Sequence, residues 1–197
     1  MERDEFLRAA WRFTVAGKCD ARRVVVVDEM GTNTSLSALY GWAAKGERAC
    51  WSVPRNRGPN TTLLASMNVE GMGPCLAVVG PTTREVFEAY VEKVLAPRSL
   101  RGGRLVVMDN LSAHKSPRVR ELVEERGAKL LYLPPYSPDY NPIEEAFAKI
   151  KSLMRKAEAR TRETLLEAMG KAISTVSARD ARDFFEHCGY GTPVQSL

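Results

Sequence analysis

"RRVVVVDEM", residues 22–30, is the stretch on which the fold turns. Four consecutive valines without polar alternation read as a strand covered on both faces, central in its sheet and ending at Asp28. Residues 103–110, "GRLVVMDN", repeat the pattern and close on Asp109. Sites in open α/β sheets form beyond the carboxyl ends of strands, so both aspartates are expected at one edge. An aspartate after a strand also starts turns and caps helices, and that structural reading stands beside the functional one.

Working outward, "TTLLASMNV" and "PCLAVVG", separated by "EGMG", predict an antiparallel hairpin with a glycine-bearing turn. "TREVFEAYVEKVLA" has the apolar spacing of an amphipathic helix, capped by Thr82 or Thr83 and followed by Pro97. "SPRVRELVEERG" predicts a helix with Ser116 as cap, Pro117 in its first turn and Gly127 as stop. "AKLLYLP" is a further short strand, and helices follow over Pro142–Ala157, Thr161–Val176 and Ala178–His187. Between the first strand and the hairpin lies a Gly-, Asn- and Ser-rich segment, expected to hold a short strand pair. Trp42 and Trp51, in that segment, are expected to pack in the core or hairpin. This order predicts a mixed α/β sheet with helices packed on it.

"LPPYSPDYNPIEEAFAKIK", residues 133–151, stiffens a loop with four prolines immediately before two glutamates, Glu144 and Glu145. Ile143, Phe147, Ile150 and Met154 form the buried seam of the helix that follows, and both glutamates lie off it. With Asn141 as N-cap and Pro142 at the first helical position, Glu144 also falls where capping-box glutamates sit. Three carboxylates from separate elements repel one another unless a cation or proton neutralises them. Oxygen donors without cysteine or histidine favour Mg²⁺ or Mn²⁺. Glu29, next along the strand from Asp28, is expected on the opposite face.

At 197 residues the chain is long enough for one domain with a full core. Its 44% apolar and 27% charged residues are those of a soluble globular protein. No apolar run is long enough to span a membrane, and "MERDEFLRAAWRF" lacks a signal-peptide core, so a cytoplasmic protein is expected. Cys19, Cys50, Cys75 and Cys188 are scattered without metal-ligand spacing and are expected to be reduced, mostly buried thiols. The net charge is +5, and between Lys149 and Arg162 six basic residues face one acid, Glu158. That run suits a phosphate backbone or a solvated helix face.

"VVVVDE", "VVMDNLSAHK" and the S-P-D-x-N-P-I-E string resemble the three signature blocks of DDE transposases of the mariner superfamily, in its bacterial insertion-sequence branch. Thirty-four residues lie between Asp109 and Glu144, the spacing of that branch, which selects Glu144 over Glu145. Weaker similarity extends from about Trp11 to Tyr190. The resemblance implies a ribonuclease-H-like, five-stranded mixed sheet flanked by helices. It implies an N-terminal extension over residues 1–22, a catalytic core over 23–158 and packed C-terminal helices over 159–197. Asp28, Asp109 and Glu144 would hold two Mg²⁺ or Mn²⁺ ions in the DNA-bound state. Such a pair activates a water or a DNA 3′-hydroxyl and stabilises the leaving oxygen of an in-line displacement.

Implied partners are double-stranded DNA at transposon ends and at a target, TA in this family, and a second copy of the chain. Asn110 and His114 are expected to orient the site or contact DNA, and Lys115, Arg155 and Lys156 to contact phosphates. Relatives carry a helix-turn-helix region before the core. Met1 lies 27 residues before Asp28, so that region is expected as a separately encoded partner, unless this is an isolated catalytic domain. Two rivals stand beside this reading: a ribonuclease-H-like nuclease without strand transfer, and a non-catalytic DNA-binding remnant. "DEMGT" lacks the second acid of a haloacid-dehalogenase phosphatase, and no phosphate-binding G-x-x-x-x-G-K-[ST] loop exists.

Overall fold

The computed structural model describes residues 4–16, 18–50, 52–112 and 114–191. Its centre is a five-stranded sheet of order β3-β2-β1-β4-β5. The strands are β1 (Val24–Thr32), β2 (Thr61–Asn68), β3 (Gly71–Val79), β4 (Leu105–Met108) and β5 (Lys129–Tyr132). β1, β2 and β3 pair antiparallel, whereas β4 and β5 join β1 in parallel. The valine run is the middle strand, and Val24–Val27 are all buried. It does not end at Asp28. Pairing with β2 carries β1 on to Thr32, so Asp28 projects from within a strand while Asp109 follows the end of one.

Side chains alternate across the sheet, and the two faces carry separate cores. Val24, Val26 and Met30 face helices α5 (Pro142–Ala157), α6 (Arg162–Ile173) and α7 (Ala178–His187). Val25 and Val27 face the opposite layer. That layer holds α2 (Arg84–Tyr90), a π turn (Val91–Leu95), α3 (Ala96–Ser99) and α4 (Pro117–Glu124). The α5 seam residues Ile143, Phe147, Ile150 and Met154 are at most 1% exposed, and each such side chain contributes roughly 1.5–3 kcal/mol by leaving water.

The amphipathic helix before β4 runs through Pro97 instead of stopping ahead of it. The wider π turn precedes the proline, which has no N–H to offer the ladder. Thr83 supplies the cap, through a bond to the Val86 amide. Gly127, with φ +69°, ends the turn after α4, as its position predicts. α6 is shorter than expected, because Thr161 caps it in a reciprocal box and its helix ends at Ile173.

The expected strand pair between β1 and β2 does not form. Among the described residues of 33–60 there are only turns and bends, and Trp42 stands wholly in solvent. Trp51 lies outside the described residues. Of the four free cysteines only Cys188 is buried, and Cys50 is exposed.

Candidate active site

Asp28 lies on the α5 side of β1, in register with Val26 and Met30, and is 5% exposed. One carboxylate oxygen accepts the Glu29 amide at 2.7 Å, and the other accepts the Asn141 side-chain amide at 2.7 Å. Asn141 occupies the N-cap position of α5, yet its side chain makes no capping bond. The amide is spent on Asp28 instead, which ties the proline-rich loop to the central strand. The loop also holds Tyr136 at φ +52°, a left-handed conformation costing a non-glycine residue on the order of 1–3 kcal/mol. Tyr136 is largely exposed at the mouth of the cleft described next.

Asp28, Asp109, Asn110 and Glu144 line one cleft of about 420 Å³, walled by the loop from Leu133 to Asn141. They reach it from β1, from the end of β4 and from the first turn of α5. Glu144 is exposed there. Glu145 turns the other way, accepting a hydrogen bond from His187 Nδ1 at 2.6 Å. The apolar seam alone leaves the two glutamates alike; α7 engages Glu145, while Glu144, the one the family spacing selects, lines the cleft.

Burial raises Asp28 to about 7, and the negative charges of Asp109, Glu144 and Glu29 add to the rise against the Glu29 amide bond. Such crowding of oxygen donors fits a hard divalent cation. Among the described residues no three acidic, histidine or cysteine side chains converge as a coordination shell.

His114 corrects one expectation. It is fully buried, so it has no surface to offer DNA. Its ring packs on Phe87 with centroids 4.1 Å apart. Its Nδ1 bonds an Asp109 oxygen and its Nε2 bonds Glu29 Oε2 at 2.7 Å. Glu29 does point to the opposite face from Asp28, as alternation requires, and it is joined to the acidic cleft through this imidazole. Burial opposes the imidazolium, but its hydrogen bonds to the carboxylates of Asp109 and Glu29 outweigh it and raise His114 to about 9.

A folded-state value above the ordinary 6.5 gives stability that is complete below 6.5 and lost as pH rises through 9. His114→Gln is expected to cost about 3–5 kcal/mol at pH 6, because it leaves two partly buried carboxylates without their cation. Urea melts across pH should show the gap from wild type narrowing towards pH 9.5; a constant gap would mean a neutral imidazole.

The basic residues are less uniform than their run suggests. Lys149 bonds Asp180 at 2.8 Å and the Thr175 carbonyl. Arg160 bonds the carbonyls of Thr34, Leu36 and Ser52, bracing the long loop after β1. Both are internal struts, not phosphate contacts. Arg155 and Lys156 lie three turns along α5 from Glu144, roughly 16 Å away, and do not reach the cleft. Lys115 is exposed beside the Asp109 loop but does not line the cleft. Asn141, Tyr136 and Glu29 were not picked out as site residues; only Asn141 had a signal, as the asparagine of N-P-I-E.

Residues 23–166 match the family model described as DDE superfamily endonuclease. Over 108 residues the chain is 32% identical to the transposable element Tcb1 transposase of Caenorhabditis briggsae. That alignment covers 52% of this chain and 40% of Tcb1, so the chain spans about two fifths of its curated relative. Among solved structures, a Mos1 mariner paired-end complex with Mn superposes with TM-score 0.71 at 16% identity, covering 96% of this chain and 61% of Mos1. A Mos1 paired-end complex with the left transposon end gives 0.69 at 19%, covering 94% and 56%. The Mos1 catalytic domain alone gives 0.59 at 16%, covering 94% and 84%. At these identities the structural likeness speaks for the fold: a mixed five-stranded, ribonuclease-H-like sheet flanked by helices.

Proposed function

This chain belongs to the DDE superfamily endonuclease family, and from that premise we propose that it is the catalytic domain of a divalent-metal-dependent DNA transposase. We assign it to the mariner superfamily and, on the 34 residues between Asp109 and Glu144, to the bacterial insertion-sequence branch. The observation that carries the reading is one cleft lined by Asp28, Asp109 and Glu144, each from a different element. The core spans residues 23–158, preceded by an extension over 1–22 and followed by C-terminal helices over 159–197.

Each residue then has a task. Asp28, Asp109 and Glu144 would hold the cation, two ions when DNA is bound. Mg²⁺ or Mn²⁺ supplies Lewis-acid stabilisation of the phosphoryl oxygens and a more acidic attacking hydroxyl. Asn141 fixes the Asp28 carboxylate by one oxygen. His114, held by Glu29, fixes the orientation of Asp109, as partners behind a metal ligand do. Glu144, exposed on the first turn of α5, is free to close on a cation once the nucleic acid is in place. Asn110 lies on the wall of the cleft, within reach of the scissile strand. Lys115 at the rim, and Arg155 and Lys156 further along α5, contact phosphates of the flanking duplex.

The substrates are double-stranded DNA at element ends and at a TA target. A helix-turn-helix region, in the same polypeptide or separately encoded, reads the ends, and two copies act together. Work on chromosomal DNA places the protein in the cytoplasm; among the described residues no helix is long and apolar enough to cross a membrane.

The test is a joining assay with a short duplex bearing an exposed 3′-hydroxyl, a supercoiled plasmid and Mn²⁺. Wild type is expected to nick the plasmid and attach the duplex to it, and Asp109→Asn to do neither. Nicking without joining would indicate a nuclease, and neither activity in wild type a non-catalytic remnant.

A further inference from the structure

The cleft wall is held from outside by a helix that the catalytic reading does not use. α1 (Glu5–Trp11) precedes the sheet and packs through Trp11 into the α5-side core. Its Arg8 is a charged side chain only 3% exposed. The guanidinium donates to Ser137 Oγ at 2.7 Å and to both carboxylate oxygens of Asp139, at 2.9 and 2.6 Å. It also lies over the Tyr140 ring, 4.6 Å from its centroid, and Arg12 approaches the same ring at 5.5 Å. Arg8 Nε is buried without a hydrogen bond. Nε instead faces the Glu5 carboxylate at 3.6 Å, so the guanidinium is held by an ion pair, a three-bond fork and a stacked ring.

Ser137, Asp139 and Tyr140 belong to the loop that ends at Asn141, whose amide grips Asp28, and that leads into Glu144. From the C-terminal side, Tyr190 donates to the Tyr140 carbonyl at 2.9 Å. The loop is therefore gripped from two sides over residues 137–140, directly after Tyr136 in its strained conformation. Release of the Arg8 fork would let that strain relax, moving Asn141 off Asp28 and Glu144 out of the cleft.

We infer that Arg8 is a positioning residue for the acidic cleft, and that α1 couples the segment before the core to the placement of Asn141 and Glu144. The inference deepens the metal-site reading and rests on it for its functional consequence. Displacement of α1, by DNA or by a neighbouring domain, would then loosen the site, and its docking would assemble it.

The test compares wild type with Arg8→Ala, Arg8→Lys, Asp139→Asn and the Arg8→Ala/Asp139→Asn double variant. Amide hydrogen exchange over residues 133–145 and Mn²⁺ titration calorimetry are the readouts. Asp139 is half exposed, so its isosteric change keeps the test alive even if Arg8→Ala unfolds. Arg8→Ala and Asp139→Asn are each expected to speed exchange in the loop and to weaken Mn²⁺ binding about tenfold. Arg8→Lys should rescue little, because an ammonium cannot form the fork. The double variant should be no worse than the poorer single one. Faster exchange confined to α1, with loop exchange and Mn²⁺ affinity unchanged, would overturn the inference and leave α1 as packing. If wild type binds no Mn²⁺, the metal reading fails, and loop exchange still decides whether Arg8 holds the loop.

Discussion

Asp28→Asn is expected to make the metal-free protein more stable and the enzyme inactive. Asp28 carries the conflict in this site: it is buried, it faces other carboxylates, and its value rises from 3.8 to about 7. In the unfolded chain it ionises near 3.8, so below that pH it is neutral in both states and costs nothing. As pH climbs towards 7 the unfolded state gains from ionisation and the folded state does not, and stability falls. Three pH units correspond to about 4 kcal/mol in the limit. Asparagine removes the charge and keeps both bonds: its oxygen can accept the Glu29 amide, and Asn141 can rotate to accept the new one.

A gain of about 1–3 kcal/mol at pH 8 follows, or roughly 2–12 °C in Tm, vanishing near pH 4. Millimolar Mg²⁺ or Mn²⁺ should stabilise wild type and leave the variant unmoved. DNA nicking should fall on the order of a thousandfold or more. A variant that melts lower than wild type at pH 8 would mean that Asp28 is held by an attraction not seen here.

The second large effect separates two neighbouring glutamates. Glu144→Gln is expected to cut Mn²⁺-dependent nicking on the order of a thousandfold, with little change in Tm, because the side chain is exposed and faces the cleft. Glu145→Gln should behave in the opposite way. Its carboxylate accepts from His187 at 2.6 Å and raises that imidazole's affinity for a proton. His187 is mostly exposed, so solvent screens the pair, and little loss of stability and activity near wild type are expected. Equal loss of activity in both variants would show that the first turn of α5 is needed for its helix start and not for one carboxylate.

How much of this was legible in the residues depends on which forces act locally. Val24–Val27 and Leu105–Met108 announce themselves because a strand buried on both faces needs apolar side chains at every position. α5 and α7 begin and end where their prolines, caps and seams say, since these signals are local. The alternation that sends Asp28 and Glu29 to opposite faces is equally local.

Long-range partners are not local, and there the residues alone mislead. Asn141 reads as a cap, and its amide goes to a strand 113 positions away. His114 reads as orienting the site or contacting DNA, and only its burial between Asp109 and Glu29 beneath Phe87 removes the second role. Two basic residues of the run after Lys149 brace loops, because carbonyls and a carboxylate brought in by the fold reach them first. The segment between β1 and β2 is polar and lacks the alternation of a half-buried strand, and that lack of period was the sign that it would form no strands.

Anomalous diffraction at the manganese edge tests the central claim most directly, on crystals of this chain grown with a short duplex and soaked in Mn²⁺. The account predicts a peak in the cleft, bonded to oxygens of Asp28 and Asp109, with Glu144 drawn towards it and Glu145 still on His187. Ordered, metal-free Asp28 and Asp109 beside bound duplex, with the manganese elsewhere, would contradict it.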